Sequence, residues 1–199
     1  MRIALRASRR ALGLFACALL LANSAFAQRS PYPPPPEPAL SQELQDARWP
    51  ADIVGVAERY VASYPQGPGA AAARADLDRA RNTKRLLERS DIRLYRGDFL
   101  VRGAAPTLYE DVRKAALADK EAAARMAHLY RDGEGGIEAN RARYIGWLQY
   151  SAALGDAPAS YELALYFRKS DQPALAAPFE ARAEELGFKA PPSLDNVRK

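Results

Sequence analysis

The chain has one cysteine, Cys17, and one histidine, His128, among its 199 residues. Because Cys17 lies in the N-terminal leader described below, the remainder has no thiol with which to form a disulfide. A Ser/His/Asp triad would depend entirely on His128, and no Gly-x-Ser-x-Gly motif accompanies it. Zinc sites need several Cys or His ligands, which are missing as well. The sequence therefore predicts a protein that is not an enzyme, with no catalytic, cofactor-binding or metal-binding residues and no cofactor.

The N-terminus has the pattern of an export signal. Four arginines in the first ten residues precede an apolar run over 11–22 and the small-residue ending Ala25-Phe26-Ala27. This order is typical of a secretory signal peptide, here 1–27, with cleavage after Ala27. The apolar run is shorter than the roughly 20 residues that cross a bilayer. Lipid attachment at Cys17 is disfavoured because the run continues beyond it. We expect a periplasmic or secreted protein with no stable membrane span after cleavage.

Charge gives little support for a nucleic-acid partner. The formal net charge of +5 includes the four leader arginines and no leader acids, so 29 basic residues less four leaves 25 against 24 acidic ones. The remaining net charge of +1 is too small to indicate binding to a polyanion by itself. No nucleic acid is expected among the partners.

Proline dominates the segment after the leader, residues 28–38, which contains six prolines. Such a run cannot form helix or sheet hydrogen-bond ladders and favours extended polyproline II. We interpret it as a stiff Pro-rich linker; a ligand for an aromatic groove is the alternative. At the other end, residues 191–199 follow a Pro-Pro pair and are expected to form a flexible tail.

A unit of 37 residues recurs in the second half of the chain. Ala115-Ala116-Leu117-Ala118-Asp119 returns as Ala152-Ala153-Leu154-Gly155-Asp156. Four positions of the next helix keep the same offset, pairing Ala122 with Ala159, Met126 with Leu163, Ala127 with Ala164 and Tyr130 with Phe167. A fixed period of this length is the mark of stacked helical repeats, and the spacing is that of a helix face buried against a neighbour. Glycines at 133–136 break the first helix, and Gly155 is placed to end the second in a left-handed conformation.

These residues resemble a known family. The repeat positions Ala122, Met126, Ala127, Tyr130, Gly133, Gly135, Ile137, Asn140, Arg143, Trp147, Ala152 and Gly155 fall in the order and nearly the spacing of a Sel-one-like repeat, a relative of the tetratricopeptide helical hairpin. Gly136 is a one-residue insertion, and Asn140 and Arg143 replace the usual acid and lysine. The second copy matches over Ala159, Leu163 and Phe167 but lacks the glycine loop.

The resemblance implies an all-α fold, a right-handed superhelix or solenoid of antiparallel helical hairpins. Residues 104–190 would form the Sel-one-like repeat region with a capping helix. Residues 39–103 would form an N-terminal helical hairpin region, with one helix ending at Tyr64-Pro65 and a long one spanning about 70 to 95. Arginines crowd residues 79–102; they form either a basic face for an acidic partner, lipid or polymer, or, as we favour, a solvated helix surface.

Function is expected from the repeat rather than from a reaction. Stacked helices present extended concave surfaces, so the protein is expected to be a non-catalytic periplasmic scaffold or adaptor that binds an envelope protein or peptide. The rings at the family positions, Tyr130, Trp147 and Phe167, are interpreted as core. Candidate partner-binding residues are Arg131, Arg143, Tyr150 and Tyr161. The alternative is a binder of envelope polysaccharide or peptidoglycan within an export or assembly machinery, and an enzyme dependent on His128 comes third.

Overall fold

The computed structural model describes residues 33–101 and 106–189. The predicted signal peptide at 1–27 and the predicted tail at 191–199 lie outside the described residues. Of the predicted linker, residues 33–36 are extended, whereas Glu37 and Pro38 already belong to the first helix. Proline fits there because the first turn of a helix needs no backbone donor.

Helices account for all the regular secondary structure of the described residues, which contain no β-strand. They are α1 (Glu37–Asp46), α2 (Pro50–Ser63), α3 (Ala70–Leu87), a short 3₁₀ helix (Arg96–Phe99), α4 (Pro106–Ala116), α5 (Lys120–Asp132), α6 (Arg141–Ala153), α7 (Ala157–Lys169) and α8 (Pro173–Glu185). Successive helices pack against each other from α1 to α3 and again from α4 to α8, and α3 also meets α6. The predicted all-α class is confirmed for this part of the chain.

The N-terminal three helices are joined through Tyr60, near the end of α2. Its hydroxyl donates to the Glu37 carboxylate at the start of α1 and accepts from the backbone N of Gly69, which precedes α3, at 3.1 Å. Ile53 and Ala57, on the same face of α2, are fully buried. The Tyr60 hydroxyl therefore holds the starts of α1 and α3 against the apolar face of α2.

The long helix predicted for residues 70–95 is wrong at its C-terminal end, because α3 stops at Leu87. Leu94, which suggested that the helix continues, is buried in a non-helical segment instead, as is its neighbour Ile92. Their burial against other helices outweighs the local helical preference, which is worth only tenths of a kcal/mol per residue.

The 37-residue period is visible in the helix ends. After α4 and α6, Ala118 and Gly155 adopt positive φ angles of 71° and 91°. In both places the next residue donates its backbone N to the carbonyl five positions back, Asp119 to Lys114 at 3.0 Å and Asp156 to Ser151 at 3.1 Å. This is the Schellman motif. A residue in the left-handed conformation lets two backbone N–H groups beyond the helix bond to carbonyls of its last turn that have no partner within the helix. The endings of α5, α7 and α8, at Gly133, Asp171 and Gly187, have the same combination.

The same turns begin the following helices. The carboxylates of Asp119 and Asp156 accept from the backbone N of Ala122 and Ala159, at 2.8 and 2.7 Å. Side-chain caps of this kind satisfy donors that the first turn of a helix leaves unpaired. Each repeat boundary is thus a helix stop and a helix start within two residues.

The glycine loop between α5 and α6 turns the chain back along α5. Gly133 and Gly135 have φ angles of 73° and 67°, which side chains with a Cβ rarely adopt. Asn140 then caps α6 by accepting from the backbone N of Arg143 at 3.0 Å. In the shortened second copy the positive φ, 55°, falls on Asp171 rather than on a glycine.

The repeat residues form one continuous core. Tyr130, Met126, Trp147 and Leu163 are all essentially inaccessible to solvent. In the described parts of the chain no helix is both long and apolar enough to cross a membrane.

The paired helix ends provide a direct test of this turn geometry. A Cβ on Gly155 would meet only Leu186 Cδ2, at 4.0 Å, so Gly155→Ala adds strain without a steric clash. We expect it to lower the free energy of unfolding by about 1 kcal/mol, and Ala118→Gly to raise it by about 0.5–1 kcal/mol, because the left-handed region penalises a Cβ. Urea unfolding followed by circular dichroism measures both changes in the free energy of unfolding. If both substitutions stabilised the fold, or both destabilised it, the shared turn geometry would be contradicted.

Candidate binding groove

The connection between α3 and α4 lies across α6. We call its described part, residues 88–101, the strap. Phe99 of the strap is fully buried, with its ring centroid 4.8 Å from that of Trp147 and 5.1 Å from that of Trp49. Aromatic pairs at these separations stabilise beyond the area they bury, by about 0.5–1.5 kcal/mol. The buried aromatic contacts of Phe99 therefore hold the strap in place, and through them the strap joins the N-terminal helices to the repeat.

Two further contacts fix the strap on α6. The Gln149 side-chain oxygen accepts from the backbone N of Arg93 at 3.3 Å, and Arg143 Nε lies 3.0 Å from Asp98 Oδ1. Gly146 faces the strap directly, since a Cβ built there would lie 2.5 Å from the Arg93 carbonyl oxygen. Only glycine allows the backbone of the strap to approach the helix so closely.

The strap forms one wall of an open groove. Two adjoining cavities, of about 630 and 720 Å³, share Arg93, Ile145, Gln149 and Tyr166. We call them together the strap groove. Strap residues line one side, α6 forms the floor, and the end of α7 and the face of α8 complete it. Each of the two cavities is within the volume range of small-ligand sites.

The lining of the strap groove is positively charged. It contains five arginines, at 89, 93, 141, 143 and 182, and two aspartates, at 91 and 98, so the excess is three positive charges. Both aspartates already have partners: Arg89 lies 2.6 Å from Asp91, and Arg143 holds Asp98. The bond from Arg89 lowers the pKa of Asp91, so this carboxylate stays ionised and engaged.

Two of the groove arginines have no carboxylate partner among the described residues. Arg93 is exposed and forms no ion pair there, and Arg141 bonds to a tyrosine instead. Arg141 Nε donates to the Tyr166 hydroxyl at 3.0 Å, and its guanidinium carbon lies 5.0 Å from the centre of that ring. Since most other arginines in this part of the chain pair with Asp or Glu, the groove holds positive charge that the fold leaves uncompensated.

The α8 end of the groove is apolar. Phe167 and Phe179 stack with their ring centres 5.7 Å apart, and Leu175 beside them is 50% exposed. At the opposite end Tyr95 is 69% exposed. Large apolar side chains left open next to unpaired charge are typical of a binding surface rather than of a solvated face.

The four candidate partner-binding residues do not form one site. Arg143 lines the strap groove. Arg131 is held elsewhere by Asp132 and Glu162, at 2.8 and 3.0 Å. Tyr161 packs on Phe188, with ring centres 4.7 Å apart.

The choice of Tyr150 was wrong. It is fully buried and its hydroxyl donates to the Ala115 carbonyl at 2.7 Å, so no partner can reach it. Burial also raises its pKa, which keeps the hydroxyl a donor to that helix end. A tyrosine one turn after Trp147 on α6 faces the same core, because residues three or four apart share a helix face.

Sequence reasoning missed the groove residues Arg141, Tyr166, Tyr95 and Leu175. The arginine-rich run at 79–102 did contain Arg93, and the reading of that run as a basic face for an acidic partner was the available signal. The strap could not be foreseen, because an extended segment that docks on a distant helix has no periodic pattern of its own.

His128 belongs to a structural network on another side of the repeat. Its Nε2 lies 2.9 Å from Glu162 Oε2, and the other carboxylate oxygen accepts from Tyr144 and Arg131 at 2.8 and 3.0 Å. Burial by itself would raise the pKa of Glu162, but the contacts with His128 and Tyr144 outweigh it and lower the pKa. One carboxylate thus joins α5, α6 and α7.

A second cavity, of about 300 Å³, lies beside His128 and has the opposite charge. Asp111, Asp132 and Glu134 line it against a single arginine, Arg125, which is bound to Asp111. Within the described residues no group of three or more His, Cys, Asp or Glu side chains is arranged to hold a metal ion. The strap groove is therefore distinguished by its charge.

Comparison with protein-family models, with curated proteins and with solved structures found no match to this chain. What holds from the sequence and the structure together is an all-helical, repeat-like arrangement in which neighbouring helices pack in pairs.

Gly146 and Gly55 form a matched pair that tests the strap. Both lie inside helices, but a Cβ on Gly55 would meet nothing within 4 Å, whereas one on Gly146 would collide with the strap backbone. We expect Gly146→Ala to lower the free energy of unfolding by about 1–3 kcal/mol, through overpacking. Gly55→Ala should raise it by about 0.5–1 kcal/mol through helix propensity. Urea unfolding measures both; a stabilising Gly146→Ala would show that the strap is not held there.

Glu162 gives a pH-dependent prediction. Because its pKa is lowered by folding, the carboxylate stabilises the fold above its unfolded pKa of about 4.3, and this contribution is lost as the pH falls through the lower folded value. Between pH 6 and pH 3 the wild type should lose about 1 kcal/mol more than Glu162→Gln. Glu184→Gln, which removes an exposed carboxylate with no ion pair in the described residues, serves as the control and should follow the wild type.

Proposed function

We propose that this chain is a Sel-one-like repeat protein whose helical hairpins continue as a right-handed superhelix, and that it acts as a non-catalytic scaffold or adaptor. The partner would be an envelope protein or peptide, held in the strap groove. The signal-peptide pattern supports a periplasmic or secreted location after cleavage. Neither nucleic acid nor a cofactor is part of the proposal.

One observation carries the proposal: an open groove in which Arg93 and Arg141, at one end, have no carboxylate partner among the described residues, and the half-exposed Leu175 lies beside stacked phenylalanine rings at the other end. Its walls come from rigid helices and a strap anchored by Phe99 and Gln149. A rigid wall reduces the ordering cost of binding, which for flexible surfaces consumes much of the interaction energy. The lone histidine, His128, is engaged by Glu162, which supports a structural role for it.

Binding of an envelope polysaccharide or peptidoglycan is the second candidate. Tyr95 and Tyr166 lie in the same groove as Arg93 and Arg141, and rings beside cations suit a sugar chain with acidic groups. Arg141 already covers Tyr166, however, which removes one ring face from stacking with a sugar. This favours a protein partner.

Photo-crosslinking from inside the groove tests the proposal. A photoreactive amino acid is placed at Leu175 or at Tyr95 in the full chain, expressed in its native host, and the cells are irradiated. We expect a protein adduct of discrete mass from both positions, identified by mass spectrometry. The matched control is Leu165, which is 38% exposed on α7 and lies outside the groove lining.

The adduct itself separates the two candidates. An adduct digested by protease supports a protein partner, whereas one digested only by a glycan hydrolase supports the polysaccharide reading. Equal labelling from Leu165 and from the groove positions, or no adduct at all, would remove the support for the adaptor function.

A further inference from the structure

We infer that the strap groove selects acidic peptide segments that carry a bulky apolar residue, through Arg93 and Arg141 at one end and Leu175 and Phe179 at the other. This inference rests on the proposed function, because it specifies the chemistry of the partner for the same groove. It extends that function by naming what the partner must contain.

The hydrogen-bonding groups left free at the charged end are donors, because the Asp98 carboxylate there is already engaged by the backbone N of Tyr95 and by Arg143. Arg93 and Arg141 carry only donors on their guanidinium groups. The Gln149 oxygen is occupied by the backbone N of Arg93, so its amide NH₂ is the group left to bind a ligand. Tyr166 accepts from Arg141, which leaves its hydroxyl proton to donate. An acceptor-only ligand such as a carboxylate matches this set, and charge-assisted bonds of this kind are about twice as strong as neutral ones.

No carboxylate of the described chain competes for these donors. Asp91 is held by Arg89 within the strap, and Asp98 of the strap is held by Arg143 of α6. Arg182 is paired with Glu185, so Arg93 and Arg141 remain as the two arginines of the lining without a carboxylate partner among the described residues, whereas the cavity beside His128 is lined by three acids and one arginine. An acidic ligand is therefore attracted to one cavity and repelled by the other, which is how charge patterns select a partner.

The apolar end determines that the ligand is a peptide. Leu175 is half exposed next to the stacked pair Phe167 and Phe179, in the cavity that shares Arg93, Ile145 and Gln149 with the charged end. Burying one Leu or Phe side chain there contributes through the area removed from water. A free anion, or an acidic sugar polymer without bulky apolar groups, fills only half of the groove. A polypeptide presents both groups within a few residues.

Selection from a random library tests this requirement without a known partner. The wild-type chain and the double variant Arg93→Glu/Arg141→Glu are each used to select from displayed random twelve-residue peptides, and the enriched sequences are read. The wild type should enrich peptides with two or more Asp or Glu and at least one Leu, Ile, Phe or Trp. The charge-reversed variant should enrich Lys and Arg beside the same apolar residues.

The affinity of the best wild-type peptide is then measured for variants of the chain, which shows what each end of the groove contributes to binding. We expect Arg93→Glu and Arg141→Glu to weaken binding at least tenfold each in fluorescence anisotropy, and added salt to weaken it further. Leu175→Ser should also weaken it about tenfold. The matched controls are Arg74→Glu, an exposed arginine on α3 outside the groove, and Leu165→Ser; both should bind within twofold of the wild type.

Every other outcome overturns the inference. Enrichment without acidic residues, or enrichment that the double variant does not change, shows that Arg93 and Arg141 do not select the ligand. Polygalacturonate that binds the groove while no peptide is enriched assigns it to an acidic glycan. If groove crosslinking yields a protein partner but the selection shows no acidic preference, the adaptor function stands and only this inference fails.

Discussion

Close contact between the strap and α6 is the constraint on which the rest of this structure depends. Phe99 fills the space between Trp49, in the N-terminal part, and Trp147, in the repeat, so one buried ring joins two sets of helices. The approach is possible only because position 146 has no side chain. An extended segment docked in this way also supplies a wall that a pair of packed helices lacks. The same contact therefore stabilises the fold and creates the groove.

In the repeat the helix ends are regular, whereas the surface formed by the side chains between them is not. Each boundary places a left-handed residue, a backbone bond across the turn and an aspartate cap within two residues, so successive helices reverse with the same geometry. The side chains between these boundaries vary, and the two cavities they line differ in sign of charge. A turn that recurs along the chain, combined with faces that differ, lets one architecture present different binding chemistry.

Arginine placement shows how the groove differs from an ordinary solvated surface. Across the described residues most arginines lie within 4 Å of a carboxylate, which neutralises them locally. Arg93 and Arg141 instead line the same cavity without a carboxylate partner among the described residues. Charge at the mouth of a partly apolar groove also speeds association, because complementary charges steer the encounter.

By itself the sequence determined the helical class, the 37-residue period, the glycine turn and the buried rings Tyr130 and Trp147. A helix that buries one face must carry apolar residues three or four positions apart, and this spacing is visible in the sequence. Tertiary structure alone decided that the third helix ends at Leu87 and that Arg93, Arg141 and Tyr166 line one cavity. Those outcomes depend on contacts between residues far apart in sequence, 25 positions for Arg141 with Tyr166 and 56 for Arg93 with Gln149. The local sequence pattern does not indicate such contacts, because the energy that selects them comes from packing against residues distant in sequence and not from the neighbouring residues.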